Sequence, residues 1–205
     1  MSNMETANWS ENVILVDADY VDKVAFDLIV NFERMLGRRI PQADLARWID
    51  CVALDGGLRP LDASAAPAQS TQVVFVHSKD RVALKNFLPG NYADELNGMA
   101  FKDQLGEFAM SAYPVEDLVT HDDFFLDIVQ TVCSQPEVQR VMIVPDADHI
   151  YNKVREALNR MDDDQKKITV FAMQPMPGGA FRQEILGYSL MAALGIRSEE
   201  IHAEG

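Results

Sequence analysis

The chain has 205 residues, an apolar fraction of 48% and a formal net charge of −14 from 18 basic and 32 acidic side chains. This length suits one sizeable α/β domain and is short for two. No apolar run approaches the roughly 20 residues of a membrane span. The acidic balance argues against a surface that attracts nucleic acid as a whole, although a metal ion or a basic patch can reverse the field at one site.

The cysteines and the amino terminus indicate the compartment. Cys51 and Cys133 are isolated cysteines inside apolar helical patterns, which is typical of free, buried thiols in a reducing environment. The segment 1–5 lacks the basic-then-apolar order of a signal peptide. We therefore expect a cytoplasmic protein that does not enter a membrane.

The first half of the chain predicts two strands and three helices after a polar segment, 1–11, that we expect to be frayed. The strands are 12–16 and 72–77; the helices are 20–36, one beginning at Pro41, and one from Ser78 or Asp80 to about Leu88. Gly, Pro, Ala and Ser dominate 55–70, which predicts a long loop. Residues 89–106 read as irregular.

The second half predicts three more strands and three more helices. The strands are 107–113, 140–144 and 167–173; the helices begin at Thr120, at about His149 and at about Phe181, the last one ending at Gly195. Asp162–Asp164 reads as a solvated turn. Strands that alternate with helices favour a three-layer α/β/α domain with a mostly parallel five-stranded sheet over 12–197, followed by a tail at 198–205.

Two Asp-x-Asp segments, Asp17 to Asp19 and Asp146 to Asp148, each follow an uninterrupted apolar strand. Right-handed crossovers bring the carboxyl ends of parallel strands to one edge, where ligands bind in such sheets. Residues two apart at a strand end point in opposite directions. We therefore expect Asp17 and Asp146 to face a site, and Asp19 and Asp148 to cap helices or support the site.

A third acidic group lies at the start of the helix after Thr120. Asp123 and Asp127 are four residues apart and share one helix face. Thr120 followed by Asp123 also resembles a capping box, so Asp123 has a structural explanation as well as a functional one. Asp127, one turn inside the helix, has no such explanation.

The order of these parts resembles a PIN-like nuclease domain of the NYN type. That family has an aspartate after its first strand, a helix-borne acid, and a later strand that ends in Gly-Asp-x-Asp-Phe. Pro145 to His149 resembles the last element, with Pro145 in place of Gly and His149 in place of Phe. The Asn that usually follows the first aspartate is absent. The chain is also similar to an uncharacterised family of bacterial proteins.

The resemblance implies metal-dependent hydrolysis of RNA phosphodiesters. Asp17, Asp123 and Asp146 would be the catalytic residues and the ligands of Mg²⁺ or Mn²⁺, which prefer oxygen ligands. Asp19, Asp127 and Asp148 would be supporting or capping residues. Lys79, Arg81 and Lys85 follow strand 72–77 and could contact the phosphates of the substrate, or form an ordinary solvated helix face.

Two other interpretations stay open. A haloacid-dehalogenase-type phosphatase would use Asp17 as nucleophile, Asp19 as acid and base, and Ser78 for phosphate, with Lys102 as its lysine. Alternatively, the domain has lost its activity and serves as an interaction or dimerisation module. The last helix, with Tyr188 and Met191, could then support a homodimer or simply contribute to the core.

Overall fold

The computed structural model describes residues 8–62, 69–161 and 165–202. The predicted turn at Asp162–Asp164, the expected fraying of 1–7 and the end of the tail lie outside the described residues. The described part of the chain contains no helix that is both long enough and apolar enough to cross a membrane.

The strands and helices follow one another along the chain as a β/α alternation with additional short strands. The strands are β1 (Asn12–Asp17), β2 (Ala43–Asp44), β3 (Ser70–Ser78), β4 (Phe87–Leu88), β5 (Ala100–Asp103), β6 (Gly106–Val115), β7 (Arg140–Val144), β8 (Lys167–Ala172) and β9 (Arg182–Ile185). The α-helices are α1 (Ala18–Leu36), α2 (Leu45–Asp55), α3 (His121–Cys133), α4 (Ala147–Asn159), α5 (Leu186–Ala193) and α6 (Ser198–His202), and Tyr92–Leu96 forms one π-helical turn.

The main sheet has seven strands in the order β5-β6-β3-β1-β7-β8-β9. All neighbouring pairs are parallel except β5 with β6. The α/β class is confirmed, whereas the expected count of five strands is wrong. β5 arises within the segment that read as irregular, and β9 arises where a helix was expected. Both are four-residue edge strands with exposed polar side chains, so neither carries a buried strand pattern.

The central strands match their prediction because they are buried on both faces. Every residue of β1 is buried, and Val16 pairs with Phe75 of β3 on one side and Val144 of β7 on the other. The long helix also matches, although it begins at Ala18. It ends where Gly37 adopts a φ of 65°, a left-handed conformation that glycine adopts without strain.

One predicted helix is absent, and two others begin later than expected. The segment from Ser78 to Leu88 contains turns and the short strand β4, which pairs with β2. The helix expected from Pro41 begins at Leu45 because Asp44 caps it, accepting a hydrogen bond from the backbone N–H of Arg47. The last helix likewise begins late, at Leu186, because β9 precedes it.

The core has two parts, one on each face of the sheet. One part lies under α1, α2 and α5 and contains Trp48. The other lies under α3 and α4 and contains Trp9 and Cys133. Trp9 is 7% exposed, so the expected fraying does not extend to it. Cys51 and Cys133 are both free, as predicted, although Cys51 is only half-buried.

The carboxyl-terminal segment is attached rather than a free tail. The guanidinium of Arg38 contacts the carboxylate of Glu200 in α6, with Nε 2.9 Å from Oε1. Ile201 packs against the core under α1 and α2. The first part of the predicted tail therefore contacts the rest of the domain.

Candidate functional site

The carboxyl edge of the sheet forms a crevice between β1 and β7. These neighbouring strands are followed by helices on opposite faces, because α1 packs into one part of the core and α4 into the other. In a doubly wound sheet this reversal of strand order is where ligands bind. A cleft of about 660 Å³ opens there, lined by Asp17, Asp19, Tyr20, Asp22, Lys23, Phe26, Ser78, Arg81, Lys85, Asn86, His121, Asp122, Asp146 and His149.

Asp17 lies at the base of this cleft and is 2% exposed. Its Oδ1 accepts a hydrogen bond from the backbone N–H of Tyr20 and lies 3.0 Å from Nε2 of His121. Burial raises the pKa of the Asp17 carboxyl, and the contact with His121 opposes that rise. Asp17 is thus a helix cap and a cleft residue at once, whereas the sequence predicted only the second role.

Asp19 does not cap α1, contrary to the expectation that Asp17 would face the site and Asp19 would cap the helix. Its carboxylate crosses to the end of β3, where it accepts hydrogen bonds from the backbone N–H and the hydroxyl group of Ser78. Its Oδ2 also lies 3.7 Å from Nδ1 of His121. The reason is that α1 begins directly after Asp17, so the capping position falls on the first aspartate of the pair and not on the second.

His121 connects the two aspartates and was missed by the sequence prediction. It is the first residue of α3, whose N-cap is Thr120. The contact with Asp17 raises the pKa of the His121 ring, although burial opposes this. The usable signal was its position, since the first residue of a helix that begins beside the carboxyl edge faces that edge.

Asp146 lies across the cleft, at the N-cap position of α4, but its side chain makes no capping hydrogen bond. Its Oδ2 lies 2.8 Å from Nδ1 of His149, and this contact raises the pKa of the His149 ring. Its Oδ1 is buried without a hydrogen-bond partner in the described part of the chain. Such an unpaired acceptor costs free energy unless a donor or cation meets it.

Tyr20 is a buried residue of the cleft whose phenol lies near the acidic side chains at the start of α4. Burial raises the pKa of its phenol, and the nearby charges of Asp148 and Asp146 raise it further. Asp148 itself is exposed and does not line the cleft. Its predicted role as a cap is not seen either, since α4 begins at Ala147 and Asp148 lies inside its first turn.

On α3, the cleft residue is Asp122 and not Asp123. Asp122 lines the cleft, whereas Asp123 and Asp127 are exposed and lie outside it. Successive helical residues are about 100° apart. The acidic residue that α3 contributes to the cleft is therefore Asp122, one position before the expected Asp123. The backbone N–H of Asp123 donates to Oγ1 of Thr120, 3.1 Å away, which places this residue in the helix cap.

Of the three basic side chains predicted to bind phosphate, two line the cleft and one does not. Arg81 and Lys85 line the cleft, and Lys23 on α1 joins them although the sequence did not single it out. Lys79 does not line it; its ammonium lies 3.1 Å from Asp117 instead. The cleft thus combines acidic groups at its base with three cations among its lining residues.

The donor set suits a hard divalent cation, since carboxylate oxygens are the ligands that Mg²⁺ and Mn²⁺ prefer. The unpaired Oδ1 of Asp146 is consistent with such a ligand. However, no group of three or more His, Cys, Asp and Glu side chains stands in metal-binding arrangement within the described ranges. Asp17 contacts Tyr20 and His121 through Oδ1 alone, whereas both carboxylate oxygens of Asp19 accept from Ser78, so of these two only Asp19 would have to turn to bind a cation.

The comparisons with known proteins identify a family but no activity. Residues 6–201 match the model of DUF6621, which is described as a family of unknown function. The chain belongs to this family. Comparisons with curated proteins and with solved structures find no match. The match spans the whole sheet, so the family unit is the domain described above.

Proposed function

We propose that the cleft hydrolyses phosphodiester bonds of RNA with a divalent cation, in a domain of the PIN-like type. The supporting observation is the pair Asp17 and Asp146, which line one crevice at the switch point of the sheet, with Arg81 and Lys85 in the same cleft. The six parallel strands also follow the spatial order 3-2-1-4-5-6 in chain numbering, as in doubly wound α/β folds.

Asp17, Asp122 and Asp146 would hold the cation, which is Mg²⁺ or Mn²⁺. Asp122 takes the place that the sequence assigned to Asp123, because only Asp122 lines the cleft. When bound, a divalent cation supplies a water of lowered pKa and offsets negative charge on the phosphate. His121 contacts both Asp17 and Asp19, and we assign it the role of fixing Asp17 at the base of the cleft.

The remaining cleft residues bind the substrate and move a proton. Lys23, Arg81 and Lys85 would contact the phosphates on either side of the bond that is cut. His149 has Nδ1 on Asp146, which leaves its Nε2 available. We assign Nε2 the role of donating a proton to the leaving oxygen.

Titration with Mn²⁺ and cleavage of a single-stranded RNA test this proposal. Asp17→Asn, Asp122→Asn and Asp146→Asn should each lower cleavage by about a hundredfold or more, as loss of an essential ligand does. The matched control is Asp123→Asn, which removes the same charge one residue along α3 outside the cleft. Absence of Mn²⁺ binding up to about millimolar, or equal losses for Asp122→Asn and Asp123→Asn, would contradict it.

A second candidate is the interaction module without catalysis. It is favoured by the contacts of the Asp17 and Asp19 carboxylates with other protein groups, namely Tyr20, His121 and Ser78. The helix α5 gives it little support, because Leu190 is fully buried and Tyr188 is the one residue of α5 that is largely exposed. In this case the wild type binds no Mn²⁺, and sedimentation velocity detects a homodimer or a complex with another protein.

The phosphatase alternative retains part of its support. Asp17, Asp19 and Ser78 lie together in the cleft. Lys102, however, pairs with Glu107 at the amino end of β6, on the opposite edge of the sheet. Lys23 would have to replace it. Hydrolysis of p-nitrophenyl phosphate without cleavage of RNA would favour this alternative.

A further inference from the structure

A second concave region lies at the amino edge of the sheet, between the end of α2 and the starts of β7, β8 and β9. It is a cleft of about 240 Å³ that is lined by Gly56, Thr169 and Phe181, among others. Four of its nine lining residues are basic, namely Arg140, Lys166, Lys167 and Arg182, and none of those described is acidic. In a chain with a net charge of −14 this is a local reversal of the field.

Two guanidinium groups meet above Gly57, the second residue of the turn after α2. A Cβ built on Gly57 would lie 2.4 Å from Nη1 of Arg140 and 3.7 Å from Nη1 of Arg182. Gly57 has a φ of 98°, and the absence of a side chain leaves the space that both groups share. Arg140 is held there because its Nη1 donates to the carbonyl oxygen of Gly56 at 2.7 Å.

The neighbouring carboxylates do not fill this space. Oε1 of Glu184 lies 3.0 Å from Nη2 of Arg182. Asp55 is also close: burial, and then the charge of Glu184, raise its pKa to about 6, and the charges of Arg182 and Arg59 oppose this rise. Neither carboxylate lines the cleft. Burial, and then the charges of Arg182 and Arg59, lower the pKa of Arg140, and the charge of Glu11 opposes this.

We propose that this cleft binds a phosphate monoester, with the phosphate between Arg140, Arg182 and Lys167. Two guanidinium groups that face one volume match the oxygens of a doubly charged phosphate, which they can bind through paired N–H···O contacts. The remainder of the ligand would lie towards an adjoining groove of about 460 Å³ that shares Arg140 and Lys167 and is otherwise lined by one carboxylate, Glu11, and by the amides Asn12, Gln69, Gln139 and Gln165. These amides suit a sugar or another hydroxylated group.

This site is independent of the acidic cleft. The two lie at opposite ends of β7, which has five residues and therefore spans about 15 Å at roughly 3.3 Å per residue. The inference goes beyond the proposed hydrolysis, and it holds whether or not the acidic cleft is active. EDTA in the titration buffer removes any contribution from a metal ion at the acidic cleft.

Isothermal titration calorimetry in EDTA tests the site with three probes: inorganic phosphate, ribose 5-phosphate and adenosine 5′-monophosphate. We expect the esters to bind at least as tightly as inorganic phosphate. Arg182→Gln and Lys167→Gln should each weaken binding about tenfold, as loss of a charge-assisted contact does. Arg182→Lys keeps the positive charge but removes the paired N–H donors of the guanidinium, so it should also weaken binding.

The matched control is Lys102→Gln, which removes one positive charge from an exposed residue of β5, four strands away from β7 in the sheet, that lines neither groove. It should bind the esters as the wild type does. Backbone amide signals of Gly56 and Gly57 should shift on titration, followed by nuclear magnetic resonance. The proposal would be overturned if no probe bound up to about 10 mM, or if Lys102→Gln weakened binding as much as Arg182→Gln and Lys167→Gln do. Circular dichroism checks that each variant is folded.

Discussion

His121 holds the base of the carboxyl-edge cleft together at the level of single residues. Its ring contacts Asp17 on one side and Asp19 on the other, at 3.0 Å and 3.7 Å. Asp17 is buried, and a buried carboxylate is costly unless a charged or hydrogen-bonding partner compensates it. His121 is therefore a stabilising residue whatever the cleft does.

Replacing His121 with Ala should lower the free energy of unfolding by about 1–3 kcal/mol, because Asp17 loses its charged partner. Urea unfolding at pH 6 measures this loss. The control is His149→Ala, whose side chain is 68% exposed and pairs with Asp146; it should destabilise the protein much less, because an exposed ion pair contributes little. Equal losses in the two variants would mean that the contact of His121 with Asp17 is not stabilising.

The stabilisation by His121 should also depend on pH. The pKa of His121 is raised in the folded protein, so its contribution is complete below the ordinary pKa of about 6.5. It is lost as the pH rises through the higher folded value. The difference between wild type and His121→Ala should therefore be smaller at pH 9 than at pH 6. A difference that grows with pH would contradict this assignment.

At the scale of elements, Asp22 fixes the loop after β3 to α1. It is 8% exposed, and its carboxylate accepts hydrogen bonds from the backbone N–H groups of Lys85 and Asn86 and from the side-chain amide of Asn86. These contacts place Arg81 and Lys85 beside the cleft, where a helix was expected. A buried carboxylate with three donors can hold a loop that has little secondary structure of its own.

Asp22→Ala should destabilise the protein by about 2 kcal/mol, because the donors on the loop lose their acceptor. Amide hydrogen exchange at Lys85 and Asn86 should become faster by a larger factor than elsewhere in the chain. Asp27→Ala is the control, since Asp27 lies on the exposed side of the same helix. Unchanged exchange at these two amides would show that the loop is held by other contacts.

The contact between α2 and the end of β5 brings together the carboxyl groups of Asp50 and Asp103. Burial, and then the hydrogen bond and the charge of Asp103, together raise the pKa of Asp50 to about 7. A folded pKa above the ordinary 3.8 favours the protonated form, so stability is highest below that ordinary value and falls as the pH rises towards 7. This pair should make the protein less stable at neutral pH than at pH 5.

Asp50→Asn should reduce this loss of stability. At pH 8 the variant should be about 1 kcal/mol more stable than wild type, less than the full shift implies because Asp50 is only half-buried. Near pH 4 the difference should be close to zero. Urea unfolding at both pH values measures this, with Asp27→Asn as an exposed control for charge. A variant that is less stable than wild type at pH 8 would contradict the prediction.

At the scale of the whole molecule, β1 joins the two parts of the core. Ile14 contributes to one part and Leu15 to the other, because alternate residues of a strand point to opposite faces. The two tryptophans are divided in the same way, with Trp48 under α1 and α2 and Trp9 under α3 and α4. A shared central strand should make both faces unfold together.

Single-tryptophan variants test this cooperativity. Trp9→Phe leaves Trp48 as the only tryptophan, and Trp48→Phe leaves Trp9. In each variant, fluorescence and far-ultraviolet circular dichroism should give the same urea midpoint, since one transition unfolds both faces. A fluorescence midpoint that differs from the circular dichroism midpoint in either variant would divide the chain into two folding units.

The buried strands and long helices were predictable from local pattern. β1, β3 and β7 carry uninterrupted apolar runs, and α1 carries a regular apolar face that ends at Gly37. These signals are strong because burial on both faces, or on one helix face, selects apolar residues at fixed spacing. β5 and β9 were missed because edge strands need no such pattern.

The candidate site was predictable in position but not in detail. The runs before Asp17 and Asp146 indicated which ends of which strands would meet. They did not determine that α1 begins directly after Asp17, which sends Asp19 to Ser78. Nor did they determine the phase of α3, which brings Asp122 to the cleft instead of Asp123. A shift of one residue turns a helical side chain by about 100°.

The amino-acid sequence alone therefore determined the α/β class, the central strands and the edge where the acidic residues gather. The tertiary structure decided which aspartates share a cleft, that His121 joins them, and that Arg140 and Arg182 meet above Gly57 at the opposite edge. The physical reason is range. Apolar periodicity is a local property of the chain, whereas these contacts join residues that are distant in sequence and depend on strand order, helix phase and the absence of a side chain at Gly57.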